Sequence, residues 1–496
     1  MKNQFAKYFA QIVHAKDKKW IEKPAETQQK VLKNLLKKAE NTTFGKDHNF
    51  ENIQSEKDFK KHVPIRDYEQ LKPYIDKVVA GETNILWPGK PKYFAKTSGT
   101  TSGTKYIPIS KDSMPYHIKA ARSAVLNYIN YKKSASIVEG KMIFLQGSPV
   151  LEEINGIKTG RLSGIVAHYV PSYLQKNRMP SFQTNCIEAW EEKLNHIVQE
   201  TLNEDMRLIS GIPPWILMYF EKLNEIKDLP IGQIFPNLEV IITGGVNYEP
   251  YRQKMQDLLG RKIDVIQTYP ASEGFIAYQD QPDSEDLLLL LNNGIYYEFI
   301  PVNEFGTENP TRLSISEVQT KTNYALLMST NAGLWGYSIG DTVEFTSLNP
   351  YRIRVTGRIK HFTSAFGEHV IAQEVEKSLS KTLEKFPAQV SEFHVAPQVN
   401  PEKGLPYHEW LIEFKKSPEN LDEFRKELDR QVQQHNVYYF DLIEGKVLQP
   451  LVLSIIRENG FNDYMKSIGK LGGQFKLPRL ANDRKIADEM KQFIQY

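Results

Sequence analysis

One cysteine, Cys186, stands in the whole chain, so neither an internal disulfide nor a cysteine-rich zinc site can form. A single thiol without a partner motif reads as a small buried hydrophobe. Long apolar runs are missing as well. No stretch is apolar enough to span a bilayer, and the opening Met1-Lys2-Asn3-Gln4 leads into a mixed polar helix without the apolar core of a signal peptide. The sequence therefore reads as cytoplasmic, with no membrane partner. Charge of one sign is also lacking: 63 basic side chains face 60 acidic ones, a net +3. That balance gives no reason to expect a nucleic-acid partner, and Lys16, Lys18, Lys19, Lys37 and Lys38 read as solvated helical surface. With no exposed heptad or long edge pattern to ask for a second copy, the chain reads as a monomer.

What is present is 496 residues with 40% hydrophobic and 25% charged side chains, enough for a large domain plus a smaller one. Val31, Leu32, Leu35, Leu36 and Ala39 make one apolar stripe among lysines, so the first stretch is helical until Pro64. The middle holds the clearest α/β signal. Leu238-Glu239-Val240-Ile241-Ile242 reads as a strand ending in Thr243-Gly244-Gly245; a helix follows over 249–259 with Gly260 as its C-cap. Ile263-Asp264-Val265-Ile266-Gln267 is the next strand, ending in Thr268-Tyr269-Pro270. Such a strand–helix–strand unit predicts parallel strands with a right-handed crossover, and ligands bind beyond the carboxyl ends of such strands. From Tyr337 the pattern turns to short strands as far as Val355. A helix over roughly 369–386, strands over 390–396 and 409–414 and a helix over 421–434 then make a small α/β tail. The expected division is a domain over 1–356, a hinge over 357–360 and a second domain over 361–496.

The run Thr97-Ser98-Gly99-Thr100-Thr101-Ser102-Gly103-Thr104-Lys105 offers hydroxyls, backbone N–H groups and one cation, the means to wrap phosphate oxygens. It is not a Walker A loop. That motif needs four residues between its glycines and a lysine directly after the second, whereas three separate Gly99 from Gly103 and Thr104 precedes Lys105. Tyr106-Ile107-Pro108-Ile109 then reads as an edge strand, because Pro108 cannot propagate a helix. Taken alone, such a loop is as often a mobile surface turn.

Together with Tyr269-Pro270-Ala271-Ser272-Glu273 and Tyr337-Ser338-Ile339-Gly340-Asp341, the loop resembles the three ATP-site motifs of the Gretchen Hagen acyl-acid amido synthetases. These belong to the adenylate-forming superfamily of acyl-CoA synthetases and luciferase. The resemblance spans nearly the whole chain, from Phe59-Lys60-Lys61-His62-Val63-Pro64-Ile65-Arg66-Asp67-Tyr68 to Gly472-Gly473-Gln474-Phe475-Lys476-Leu477-Pro478-Arg479. Pro270-Ala271 departs from the more usual small pair, and Gly357-Arg358-Ile359-Lys360-His361-Phe362 looks more like the bacterial members than the plant hormone enzymes. The resemblance implies an α/β fold. Its large N-terminal domain has parallel and mixed sheets flanked by helices plus a β-barrel-like part, and its smaller C-terminal α/β domain is mobile.

The same resemblance implies roles. Ser98, Gly99, Thr100, Thr101, Ser102 and Lys105 hold the ATP phosphates, and Lys105 counts among the catalytic residues. Thr243, Gly244 and Gly245 leave room for the adenine, beside Thr268 and Tyr269. Asp341 takes the ribose hydroxyls, and Glu273 is the Mg²⁺ ligand. Arg358 and Lys360 sit at the pivot. Lys476 is the adenylation lysine, with Lys470 as runner-up, in a loop whose glycines allow it to swing. For the acid pocket, the helix near Ser113 and the segment from Pro213 offer Tyr116, Trp215 and Met218, and Arg122 as a partner for a second carboxylate. The implied reaction joins a carboxylic acid to an amine, an amino acid, through an acyl-adenylate, with ATP and Mg²⁺. A thiol acceptor, as in an acyl-CoA synthetase, and a nucleotide-binding protein that has lost catalysis are the alternatives. Retention of Glu273, Asp341 and Lys476 speaks against the latter.

Overall fold

The computed structural model describes residues 2–100, 103–170, 175–359, 362–363, 365–368, 370–468 and 477–495, and only the backbone of residues 2, 98–100, 103, 250, 358, 362–363, 371 and 373. Helices lead the chain. Pro24–Ala39 starts with proline in its first turn, where a missing N–H costs nothing, and buries Leu32, Leu35, Leu36 and Ala39. Its Gln28 is 1% exposed. The Gln28 amide donates to the Leu291 and Ile295 carbonyls at 2.7 and 2.9 Å and accepts from Tyr297 N–H at 2.8 Å. A buried polar group is tolerable when satisfied in this way, and here it fixes the helix to the sheet. Capping boxes at Ser55/Asp58 and Asp67/Gln70 start the helices Glu56–His62 and Tyr68–Val79. Between them Arg312 reaches back to the Lys60 and Val63 carbonyls while pairing with Glu298.

β1 (Tyr93–Thr100) and β2 (Gly103–Ile109) form an antiparallel hairpin. With β4 (Glu152–Ile154) and β5 (Ile157–Gly160) they make a small sheet, ordered β2-β1-β5-β4 among the described residues. β2 is an edge strand, the position Pro108 requires.

A second, larger sheet begins with β3 (Lys141–Phe144), β6 (Arg178–Met179), β7 (Met206–Gly211), β8 (Val240–Gly244) and β9 (Asp264–Ala271), all parallel. Their side chains alternate between two cores. Ile143, Ile209 and Ile241 face the helices Pro213–Lys227 and Glu249–Leu259. Met142, Leu208, Val240, Ile242 and Ile266 face Met114–Lys132 and Lys2–Ile21. Burial on both faces is why these strands read as unbroken apolar runs. The helix Glu249–Leu259 ends where predicted, at Gly260 with φ +66°.

From β9 the same sheet becomes antiparallel through β10 (Gly274–Gln279), β11 (Leu287–Leu289), β12 (Ile295–Pro301), β13 (Asn323–Thr330), β14 (Tyr337–Leu348) and β15 (Tyr351–Arg358). Among the described residues it is eleven-stranded, ordered β12-β13-β14-β15-β11-β10-β9-β8-β7-β3-β6. The antiparallel half, expected from the resemblance as a barrel-like part, thus continues the parallel one. β14 and β15 form one long hairpin where the sequence suggested short strands. Its ladder places Arg358 opposite Asp341, and Ile359 N–H donates to the Gly340 carbonyl at 2.8 Å. Two of the four residues assigned to a hinge, Gly357 and Arg358, therefore sit in the sheet.

Beyond it, β16 (Phe362–Thr363) pairs with β17 (Val370–Ile371), and the helix Ala372–Lys385 follows. β18 (Gln389–Gln398), β19 (Tyr407–Lys416) and β20 (Val452–Ile456) form the C-terminal sheet, ordered β18-β19-β20 among the described residues. Helices Leu421–His435 and Val437–Glu444 lie between β19 and β20. One apolar cluster runs from the helices of the large sheet to Trp410, Phe424 and Tyr439 of this tail. In all this is a mixed α/β chain, and no described helix is long and apolar enough to cross a membrane.

Candidate active site

The parallel half of the large sheet ends at β9, and the first antiparallel turn, Ser272-Glu273, lies at the changeover. Beside it, β8 ends in Gly244-Gly245. Gly244 is dictated by its neighbour: a Cβ there would stand 2.3 Å from Thr268 Oγ1 and 2.4 Å from the Thr268 carbonyl. The Thr268 hydroxyl fills that space and donates to the Thr243 carbonyl at 3.0 Å, latching the two strand ends together. Gly245, at φ +79°, then turns the chain as few other residues could.

Two phenols tie this turn to β14. Tyr269 OH donates to Asp341 Oδ2, and Tyr337 OH donates to Glu273 Oε1 at 3.3 Å. Tyr337 is 1% exposed. Burial first, and the Glu273 carboxylate second, hold its pKa far above the usual phenol value, so it remains a donor. The second and third motifs are therefore cross-linked twice, each carboxylate being oriented by the other motif's tyrosine.

These residues face a cleft of about 850 Å³. Lys105, Gly244, Gly245, Thr268, Tyr269, Glu273 and Asp341 line it, and so does Trp215, stacked on Trp190 with ring centroids 4.6 Å apart. Lys105 stands on β2 with its ammonium 5.5 Å from the Tyr68 ring centroid. β1 and β2 present the hydroxyl-rich turn as a strand–loop–strand with an irregular register between Thr97 and Thr100. Ser98, Gly99, Thr100 and Arg358 are described by backbone alone, and Thr101, Ser102, Lys360, Lys470 and Lys476 lie outside the described residues. The segment after Lys476 is anchored: Val395 N–H donates to the Arg479 carbonyl at 3.0 Å and Ala481 N–H to the Val395 carbonyl at 2.9 Å. Asn482 and Asp483, just beyond, reach the cleft.

Four expected residues are not brought to the cleft wall. Thr243 has a buried side chain, behind Gly244. Met218 packs into the core one turn below Trp215. Tyr116 is half-buried elsewhere on its helix, and Arg122 is exposed with its guanidinium 5.8 Å over the Phe9 ring. Arginines that do line the cleft are Arg161, which follows β5, and also Arg252 and Arg354. Sequence reading also passed over Gln146, Phe366, Gly367, Tyr438 and Leu442, which complete another part of the lining. Lys193, 2% exposed, supports that part from behind, donating to the Gln146 and Asn185 carbonyls at 2.9 and 2.7 Å. Burial lowers its pKa to about 8.

No cluster of three or more His, Cys, Asp or Glu occurs among the described residues. A divalent ion in this cleft would therefore rest on Glu273 together with oxygens of a bound phosphate. That donor set fits Mg²⁺, which takes one or two carboxylates and completes its shell with phosphate and water.

A parallel sheet whose strand ends carry these turns, faced by a hydroxyl-rich hairpin, is the architecture of the adenylate-forming ligases. The structure matches that of a GH3.15 acyl acid amido synthetase with a TM-score of 0.62 at 15% identity, over 99% of this chain and 97% of the other. It matches 2-hydroxyisobutyryl-CoA ligase with a TM-score of 0.59 at 14% identity, over 94% and 92%. Both are likenesses of fold. The family models for the GH3 N-terminal, central and C-terminal domains match residues 15–188, 288–358 and 371–485, and the chain belongs to the GH3 family of acyl acid amido synthetases. It is also similar to the jasmonoyl–L-amino acid synthetase JAR4 of Nicotiana attenuata, 22% identical over 91% of this chain and 90% of that protein.

Proposed function

We propose that this protein uses ATP to convert a carboxylic acid to an acyl-adenylate and then passes the acyl group to the amine of an amino acid. The observation that carries the reading is the double tie of Tyr269 to Asp341 and of Tyr337 to Glu273. It fixes two carboxylates, otherwise 9% and 6% exposed, at the mouth of one cleft with Lys105. One carboxylate suits the cation that accompanies a polyphosphate, the other accepts from ribose hydroxyls, and the Lys105 ammonium suits the phosphate itself. The amino acid as acceptor is supported by the names of relatives that join acids to amino acids.

In this reading Lys105 and the hairpin turn hold the phosphates, and Gly244, Gly245 and Tyr269 flank the base. Asp341 accepts from the ribose hydroxyls with the lone pairs Tyr269 leaves open. Glu273 carries Mg²⁺, which would neutralise phosphate charge. Lys476 supplies a cation as negative charge builds on the α-phosphoryl group. The acid carboxylate attacks the α-phosphorus and pyrophosphate leaves; the amine then attacks the acyl carbon and AMP leaves. Residues 361–496 would turn about the segment near 357–360 between the two steps.

The test is pyrophosphate release from ATP with Mg²⁺ across a panel of carboxylic acids, each alone, with mixed amino acids or with CoA. Acid-dependent release, followed by an amide when amino acids are present, is the expected result. Completion by CoA alone would overturn the acceptor, and silence with every acid, despite bound ATP, would overturn the reaction.

A further inference from the structure

The helix Val437–Glu444 belongs to the C-terminal tail by every bond at its base. Asn436 caps it through Tyr439 N–H and donates to Glu374 Oε2 at 3.0 Å, and Tyr439 OH donates to Asp429 Oδ1 at 2.7 Å. Its outer face, however, touches the other end of the chain. Tyr438 OH donates to the Lys96 carbonyl, the Arg161 guanidinium lies 4.7 Å over the Tyr438 ring, and Arg161 pairs with Asp441. β17 packs along β1 beside this contact. Tyr438 and Leu442, four residues apart and so on one helical face, form cleft wall, as do Lys96 and Thr97, while Asp441 lies outside the lining. Lys96 and Thr97 lead directly into the hydroxyl-rich turn.

The polar part of this contact is weak. The side chains of Arg161 and Asp441 are 37% and 42% exposed, so the ion pair is weakened by solvent and cheaply exchanged for water. We propose that, within the function proposed above, Tyr438, Asp441 and Arg161 are positioning residues that decide whether an acyl-adenylate meets the amine or water. With the helix seated, Tyr438 and Leu442 cover the part of the cleft they line, which we take as the acid side. A free acid enters before seating. The acyl-adenylate formed afterwards is a reactive mixed anhydride, and closure excludes water from it. Two fates compete for it. An amine forms the new C–N bond as the acyl C–O bond breaks, with AMP leaving on the electron pair and a proton released. Water instead forms a C–O bond, returning the acid and AMP, so that one ATP is spent for no amide.

The experiment uses the full-length enzyme, the panel acid giving the fastest pyrophosphate release, and a fixed mixture of the twenty amino acids. AMP formed per amide is compared between the unaltered protein and Asp441→Asn, Asp441→Lys and Asp441→Glu, each checked for an unchanged melting temperature. Asp441→Asn is expected to raise AMP per amide about three- to tenfold while acid-dependent ATP–pyrophosphate exchange persists, the size set by one exposed ion pair and one stacked cation. Asp441→Lys should raise it further, and Asp441→Glu should restore the ratio. An unchanged ratio in Asp441→Asn and Asp441→Lys overturns the inference and leaves the function standing. So does a parallel fall of exchange and transfer that Asp441→Glu does not restore. Absence of any acid-dependent release in the unaltered protein overturns both.

Discussion

The two sides of the cleft are made differently. The nucleotide side stands on β8, β9 and β14 of one sheet, and hydrogen bonds between its own polar groups tie these strands together. The side on which we place the acid is gathered from Gln146, Arg161, Trp215, Phe366 and Tyr438, residues far apart in sequence and carried by loops and helices. A sheet delivers its strand ends to one edge whatever the surface sequence, so the nucleotide side depends on short local motifs. The other side depends on how separate layers pack.

If that contrast is right, damage to the nucleotide side should be severe and indifferent to the acid used. Glu273→Ala is expected to cut acid-dependent pyrophosphate release by about a hundredfold or more with every acid of the panel, as for loss of the carboxylate that holds Mg²⁺ against the phosphates. Rate against Mg²⁺ concentration should lose its saturating form. Release within a few-fold of the unaltered enzyme would remove Glu273 from the site and dissolve the contrast.

The acid side has its own rigid element in Lys193, and its signature is stability. Burial lowers the folded-state pKa of this lysine to about 8 from the ordinary 10.5, so the folded protein sheds the proton first. Between those two pH values the unfolded chain holds more protons, and stability climbs as pH rises. In urea titrations the unaltered protein should gain about 2–3 kcal/mol relative to Lys193→Met across that window. A difference independent of pH would mean that the ammonium is not desolvated. Lys193→Met should in addition be the less stable at pH 9, because the Gln146 and Asn185 carbonyls lose their donor.

The same division explains what could be read from the residues. β8, the helix Glu249–Leu259 and β9 were legible because apolar runs, Gly260 and the strand-end glycines each follow from local physics. Pro108 gave β2 its place at an edge. The strands β10 to β13 left no such mark. Gly274–Gln279 is buried on both faces, so its composition lacks the alternation that signals a strand. Gly244 does lie on the cleft wall, and a Cβ there would meet Thr268, a constraint no local sequence pattern announces. Nothing local in Gly160-Arg161 or Val437-Tyr438 announces a cleft, because these residues acquire their meaning only when the C-terminal helix meets β1. The Arg358 ladder likewise was invisible until β14 and β15 were seen to pair through to Gly340.

Arg122 against Arg161 is the finest test of the contrast. Both are arginines near aromatic rings, and the sequence reading offers Arg122 as the partner of a second substrate carboxylate. On the helix Met114–Lys132 the buried face carries His117, Ala120 and Ala124. Arg122 lies two residues from both alanines and so about 200° round the axis from each, which directs it to solvent and to Phe9. Arg122→Ala should therefore leave the KM for the acid within about twofold and cost under about 1 kcal/mol of stability, the worth of an exposed cation over a ring. Arg161→Ala removes a cation from the cleft wall itself and should move the KM for the acid about three- to tenfold. Equal effects from the two would mean that the acid side extends to the face of the helix that Arg122 occupies. A larger effect from Arg122 would place the acid on that face and leave Arg161 as the partner of Asp441 alone.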